Sequence, residues 1–232
     1  MNGAPLAPAQ LEQLRSLSTC IVASAIETFG VRLRNKGFTD SRIRCVFPEL
    51  PTVVGYATTA RLRSSDPPME GKSYYDRTDW WQSILKIPAP RIVVIQDLDA
   101  QPGLGAFLGD VHANVLRALG CVAAVTNGSV RDLREVERSG VQVFAANVAV
   151  SHAYAHIFDF GGTVEVGGLS VSPGELLQGD IHGVQTIPRE IASRVPERAL
   201  EIVGNRQEFV ALTHSQSFSI EEFSRKTKEL HS

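Results

Sequence analysis

"GDVHANVLRALGCVAAVTNGSVRD", Gly109 to Asp132, is the stretch that decides the fold. Val111, Val115 and Leu119 fall at i, i+4 and i+8, which predicts a helix with a buried stripe, closed by Gly120. "CVAAVT" then reads as a buried strand. The Asn-Gly pair of "NGSVRD" predicts a turn, because both residues tolerate positive φ. A polar helix, "LREVERSG", and a second strand, "VQVFAANVAV", follow. Upstream, "RIVVIQDL" is another short apolar run. Strand, helix, strand, helix, strand is a crossover pattern that favours parallel pairing, so the class is α/β.

Outward from this centre, "PAQLEQLRSLSTCIVASAIETFG" predicts one or two helices, with Leu11, Leu14, Leu17, Ile21 and Ile26 near helical spacing and Gly30 as the stop. "TVVGYATTARL" is β-branched and predicts a strand. "DRTDWWQSILKI" predicts a helix capped by Asp76 or Thr78. After the central units, "GTVEVGGLSVSPGELLQGDIHGVQTIP" predicts short antiparallel strands or a small barrel. From Arg189 the chain turns helical, with Pro196 near a helix start or break. No repeat, low-complexity tract or linker interrupts it, so residues 1–232 are expected to form a single domain, with residues after about Thr213 as an arm packing on a neighbour.

Composition removes several classes. The 232 residues carry a net charge of −2, with 43% hydrophobic and 21% charged residues, as in ordinary soluble domains. No basic stripe suits nucleic acid. Cys20, Cys45 and Cys121 are odd in number and widely spaced, which argues against a disulfide framework or zinc knuckle. "MNGAPLAPAQ" lacks the pattern of a secretory signal, and no apolar run approaches the roughly 20 residues of a membrane span, so a cytoplasmic location is expected.

P-loop, HExxH and GxSxG patterns are absent, and the glycine pairs at 161–162 and 167–168 do not open a helix as a dinucleotide loop would. "SHAYAH" places His152 and His156 four apart, one face of a helix, but no third residue completes a metal set. "NGSVRD" and "LGD" carry more chemistry. Both precede helices at the ends of strands, where α/β folds bind ligands. Aspartate suits a helix start; Arg131 does not, and a bidentate grip on a carboxylate would explain it. The N–H groups of Val111 and His112, behind Asp110, form an anion site, and Asp110 or Asp132 could hold a hard divalent cation.

These residues carry a resemblance. "GDVHANVLRALGCVAAVTNGSVRD" resembles the signature of the RraA-like family, which includes the 4-hydroxy-4-methyl-2-oxoglutarate / 4-carboxy-4-hydroxy-2-oxoadipate aldolases. "TVVGYATTARL", "VQVFAANVAV" and "VEVGGLSVSPGELLQGDIHGVQTIP" resemble further family segments in the right order, over roughly residues 15 to 210. The resemblance implies a swivelling α/β/β-sandwich, assembled as trimers or hexamers with active sites between subunits. It implies a class II, metal-dependent lyase that cleaves a 4-hydroxy-2-oxo acid, dicarboxylate-like in the manner of 4-hydroxy-4-methyl-2-oxoglutarate, to pyruvate by a retro-aldol reaction, with oxaloacetate decarboxylase activity. Asp132 would ligate Mg2+ or Mn2+ through a water-rich shell. Arg131 would bind the pyruvyl oxygen and stabilise the enolate. Asp110 would hold a metal-bound water or transfer a proton. Gly109, with the amides of Val111 and His112, would receive the pyruvyl carboxylate. Glu208, or alternatively Glu201, would enter from the adjacent subunit's C-terminal helix.

The pattern departs from the family in four places. Asn127-Gly128 stands for Asp-Gly, Asp110 for Glu, and "ASAIE", around Ser24 to Glu27, for Ser-Asp-Ala. "SHAYAHIFDFGG" also differs and is expected to line the distal pocket, where its histidines would select a different acidic tail. The rival is a non-catalytic RraA-like regulator that binds and inhibits ribonuclease E. A decarboxylase or hydratase on an unrelated keto acid is a third option. No glycine-rich loop supports the methyltransferase activity attached to some family members.

Overall fold

The computed structural model describes residues 5–68, 77–216 and 218–231. Its layers follow from alternation along β3 (Arg91–Asp97). Ile92 and Val94 point to one core and Val93 and Ile95 to another, so this strand is buried on both faces. β3 runs parallel to β2 (Val53–Arg63) on one side and to β5 (Cys121–Val130) on the other, and β5 runs parallel to β6 (Gln142–Val148). The expected crossovers are therefore present.

β1 (Arg44–Cys45) joins β6 at one edge, and the antiparallel hairpin of β10 (Leu176–Asp180) and β11 (Gly183–Ile187) joins β2 at the other. Short β4 (Ala106–Leu108) lies beside β5, and β7 (His156–Phe160) beside β2, which gives a nine-stranded mixed sheet, nearly closed like a barrel. The hairpin of β8 (Val164–Val166) and β9 (Leu169–Val171) forms a second β layer, its valines and Leu169 sharing a core with Val94, Val125 and Phe144. On the other face lie α3 (Thr78–Leu85), α4 (Asp110–Ala118) and α5 (Leu133–Ser139), through Trp80, Ile84, Leu116 and Val136. α1 (Pro8–Arg15), α2 (Thr19–Thr28) and α6 (Val195–Thr213) close a third cluster over Val54, Tyr56 and Leu176. α7 (Ile220–His231) packs back on α6, with Phe223 edge-on to Phe209. Pro196 sits in the first turn of α6, where its missing N–H costs nothing.

Three local expectations are corrected. Asn127 and Gly128 are not a turn: they lie inside β5, at a register shift between Thr126 and Ser129. The Asn127 amide replaces the ladder there, accepting from Asp97 N at 2.7 Å and donating to Asp97 O at 3.0 Å. Gly128 is closely packed, since a Cβ would sit 3.3 Å from Asp97 Oδ2 and 3.2 Å from Thr126 Oγ1 and would press these side chains back by a few tenths of an ångström. The stripe of α4 is also rotated. Ala113 and Leu116 are buried, while Val111 is 72% exposed. Ala113 is small enough to seat the helix on the sheet, which turns Val111 the other way. Finally, Arg77 precedes α3 without a side-chain cap, so Thr78 is the first helical residue; Asp76 lies outside the described residues.

A buried polar seam fixes the N-terminal helices. Gln178 Nε2 donates to Leu14 O and Leu17 O, and Gln185 Nε2 donates to Thr19 O. Asp180 accepts from Thr19 N at 2.8 Å, Thr19 Oγ1 at 2.7 Å and His182 N at 2.9 Å. Burial pushes its carboxyl up, but the Thr19 and His182 bonds outweigh this and hold it below the ordinary range. Asp180→Asn turns an amide N–H2 toward these donors. Denaturant titration at neutral pH should show a loss of about 1–3 kcal/mol. Because the folded pKa is depressed, this stability is present above the unfolded value of about 3.9 and is lost as pH falls through the folded value, so the two proteins should converge in acid. An unchanged midpoint at neutral pH would refute the assignment.

Candidate active site

Two strand–helix junctions lie side by side at the C-terminal ends of β4 and β5. At the first, Leu108 leads through Gly109 into α4; at the second, Val130 leads through Arg131 and Asp132 into α5. Arg131 N donates to Leu108 O at 3.0 Å, which pins the junctions together. The β3–β4 loop is held underneath: Asp97 accepts from Gly103 N at 2.7 Å, and Asp99 accepts from Ser64 N at 2.8 Å and Ser64 Oγ at 2.7 Å. Burial raises the Asp97 carboxyl, and it serves here as a scaffold.

Asp132 adopts φ 53°, ψ 45°. Non-glycine residues in this region are uncommon and carry strain. Oδ2 accepts the first N–H of α4, from Asp110, at 3.3 Å, and Oδ1 accepts Arg131 Nε at 3.1 Å. Burial pushes its carboxyl up, but the Arg131 and Asp110 bonds, with the charges of Arg131 and His152, hold it below the ordinary range. A Cβ on Gly109 would lie 2.6 Å from Asp132 Oδ2, so only glycine lets this carboxylate reach the α4 terminus. The first backbone bond inside α4 is Ala113 N to Gly109 O, so the N–H groups of Val111 and His112 have no partner in the helix. Asp110 receives Asn114 Nδ2 on Oδ1 at 2.8 Å.

Above these junctions opens a cavity of about 490 Å³. Gly109, Asp110, Asp132, His112 and His152 line its polar end; Trp81, Phe107, Val111, Val115 and Tyr154 line the rest. His112 stacks on Phe107, ring centroids 4.2 Å apart. Burial, with the charge of nearby His152, pushes its pKa down to about 4, so the ring is neutral at neutral pH. His152 Nδ1 lies 2.7 Å from Ala106 O, a carbonyl that can only accept, so Nδ1 donates. Among the described residues, the non-glycine residues with positive φ are Asp132 and Ala153, and both line this cavity. A second cleft, of about 280 Å³, lies at the opposite ends of the strands near Val53, Pro90 and Gln142, away from this chemistry.

The structure thus brings Gly109, Asp110, Val111, His112 and Asp132 together. Arg131 stands behind Asp132 and is not part of the cavity wall. His152 and His156 do not share a helix: one is in a loop and the other begins β7. Glu208 and Glu201 lie on α6, not on this wall, and pair with Lys226 at 2.9 Å and Arg198 at 2.5 Å. Trp81 and Phe107 escaped the sequence reading, whereas "SHAYAH", expected at the distal pocket, does contribute His152 to Ala155 to this wall.

Among the described residues, no group of three or more His, Cys, Asp or Glu side chains converges as a metal cage. The donor chemistry fits a sparser site: one ionised carboxylate, with substrate and water oxygens completing the shell of a hard cation such as Mg2+. Among the described residues no helix is long and apolar enough to cross a membrane.

A family model described as "RraA-like: Aldolase/RraA" matches residues 19–185. A Halalkalibacterium halodurans protein, provisionally named 4-hydroxy-4-methyl-2-oxoglutarate aldolase, is 24% identical over 190 residues, 82% of this chain and 81% of the relative. A solved structure from Pseudomonas syringae pv. tomato is 19% identical, with a TM-score of 0.74 over 97% of both chains. Streptomyces coelicolor RraAS2, described as an unusual member of the RNase ES inhibitor RraA protein family, is 19% identical, with a TM-score of 0.69 over 90% of this chain and 98% of its own. The two structures establish the likeness of fold.

Proposed function

The chain belongs to the RraA-like family, and on that premise we propose that it is a divalent-metal-dependent lyase that releases pyruvate from a 4-hydroxy-2-oxo acid and decarboxylates oxaloacetate. The observation that carries this is Asp132: an ionised, strained aspartate at a helix N-terminus, facing a cavity large enough for a small organic acid. Strain at one carboxylate is hard to explain in a chain that only binds a nuclease.

Each side chain has a distinct task. The free N–H groups of Val111 and His112, with the α4 dipole, receive the substrate carboxylate beside Gly109. Arg131 holds Asp132 through Nε from behind the cavity wall, and its remaining donors would have to turn past Asp132 to meet the pyruvyl oxygen as charge develops there. Asp132 would hold Mg2+ or Mn2+, which when bound supplies Lewis-acid stabilisation of that charge. Asp110 accepts the proton of the 4-hydroxyl, directly or through water. Glu208, or Glu201, would approach from a second copy of the chain. Exposed Leu104, Leu133, Val148 and Val150 sit at the same end of the sheet, an apolar rim suited to burial between copies in a trimer or hexamer.

The test is oxaloacetate decarboxylation, together with exchange of the C3 protons of pyruvate in D2O, with Mg2+, with Mn2+ and with excess EDTA. Both activities should appear with metal and vanish with chelator. Absence of both with either metal would refute the proposal and favour the ribonuclease-binding alternative.

A further inference from the structure

The substrate's second half must sit against the wall beyond Val111, and its chemistry is readable there. We propose that the substrate is a monocarboxylic 4-hydroxy-2-oxo acid whose carbon 4 bears an apolar group of about aromatic size in place of a second carboxylate. This deepens, and rests on, the lyase function proposed above.

The α4 terminus accounts for one carboxylate. Among the described residues lining the cavity, no comparable device receives another. Among the described residues lining the cavity there is no lysine or arginine, while Asp110 and Asp132 already place two carboxylates on its wall. A second substrate carboxylate on the apolar part of this wall would be desolvated with no cationic side chain among the described lining residues to pair with it, which is unfavourable. "SHAYAH" does not change the balance. His156 is not on the wall, and His152 spends Nδ1 on Ala106 O. His112 lies against the Phe107 ring.

What the wall does offer is apolar. Trp81, Phe107, Val115 and Tyr154 face the space, and Val111 and Tyr154 are left 72% and 49% exposed. Such surface gains from contact with an apolar ligand and nothing from a hydrated anion. Pyruvate alone fills little of the roughly 490 Å³, so the remainder is available for the tail.

The chemistry balances without a co-reactant. The 4-hydroxyl loses its proton and its oxygen forms a carbonyl at carbon 4. The C3–C4 electron pair moves to C3 as the pyruvate enolate, which takes up a proton. An apolar aldehyde or ketone leaves.

The purified protein with Mg2+ would be given 4-hydroxy-2-oxo-4-phenylbutanoate and 4-hydroxy-4-methyl-2-oxoglutarate in parallel, with pyruvate quantified by chromatography. Exchange of pyruvate C3 protons, which involves no tail, would be measured on the same preparation. We expect kcat/KM for the phenyl substrate to be at least about tenfold the higher, a ratio reachable from differences in burial alone. Val115→Arg, which places a cation on the apolar wall, should reduce that ratio by about tenfold or more. Exchange with a preference for the dicarboxylate, or a ratio that Val115→Arg leaves unmoved, overturns this inference and leaves the lyase function standing. Absence of exchange overturns the lyase function, and this inference with it.

Discussion

Asp132→Asn should reduce metal-dependent pyruvate release by roughly 10³-fold or more, with little change in melting temperature. Asparagine keeps the size of the side chain and tolerates the left-handed backbone at φ 53°. What it removes is the charge that Arg131, the Asp110 N–H and His152 jointly keep ionised. Asp132→Gly separates strain from chemistry. Glycine adopts this conformation freely, so the variant should be as stable as the parent or more stable by about 1 kcal/mol, yet inactive. Loss of stability together with activity would instead make Asp132 a structural residue. Retained turnover in Asp132→Asn would remove it from the chemistry altogether.

The central crossovers were legible because "RIVVIQDL", "CVAAVT" and "VQVFAANVAV" are short apolar runs separated by polar helices, and that pattern has few solutions in α/β chains. The Arg131–Asp132 junction stood out in the sequence because an arginine at a helix start has no local reason to be there, and the structure places Asp132 on the cavity and Arg131 behind it. Asn127-Gly128 was misread because turn propensity is local, whereas the bulge exists to bracket Asp97, thirty positions away in the chain. Val111 was misread because α4 has two apolar faces and periodicity cannot say which one meets the sheet. Ala113 and Leu116 take the core, and the valines are left to the cavity. The aromatic wall was only partly visible for a related reason. Tyr154 lies in "SHAYAH", which was expected at the distal pocket, but Trp81 and Phe107 come from separated segments that read alone as ordinary core.

Arg131→Lys should lower kcat by roughly 10²–10³-fold, with a smaller effect on KM. Lysine preserves the positive charge near Asp132 but supplies a point donor where arginine supplies a planar fork. If Arg131 served only to keep Asp132 charged, lysine would restore most of the activity lost in Arg131→Ala. If the fork also meets the developing oxyanion, lysine would rescue little, because Nε is already engaged with Asp132 Oδ1 at 3.1 Å and the remaining donors must reach the substrate together. The pH profile separates the two contributions. Arg131 is among the groups that draw the Asp132 carboxyl down, so its removal should raise that pKa and shift the acid limb of activity to higher pH. Lysine should return the limb toward its original position while kcat stays low. A limb that does not move in Arg131→Ala would mean that the ion pair seen at this junction does not govern the ionisation of Asp132.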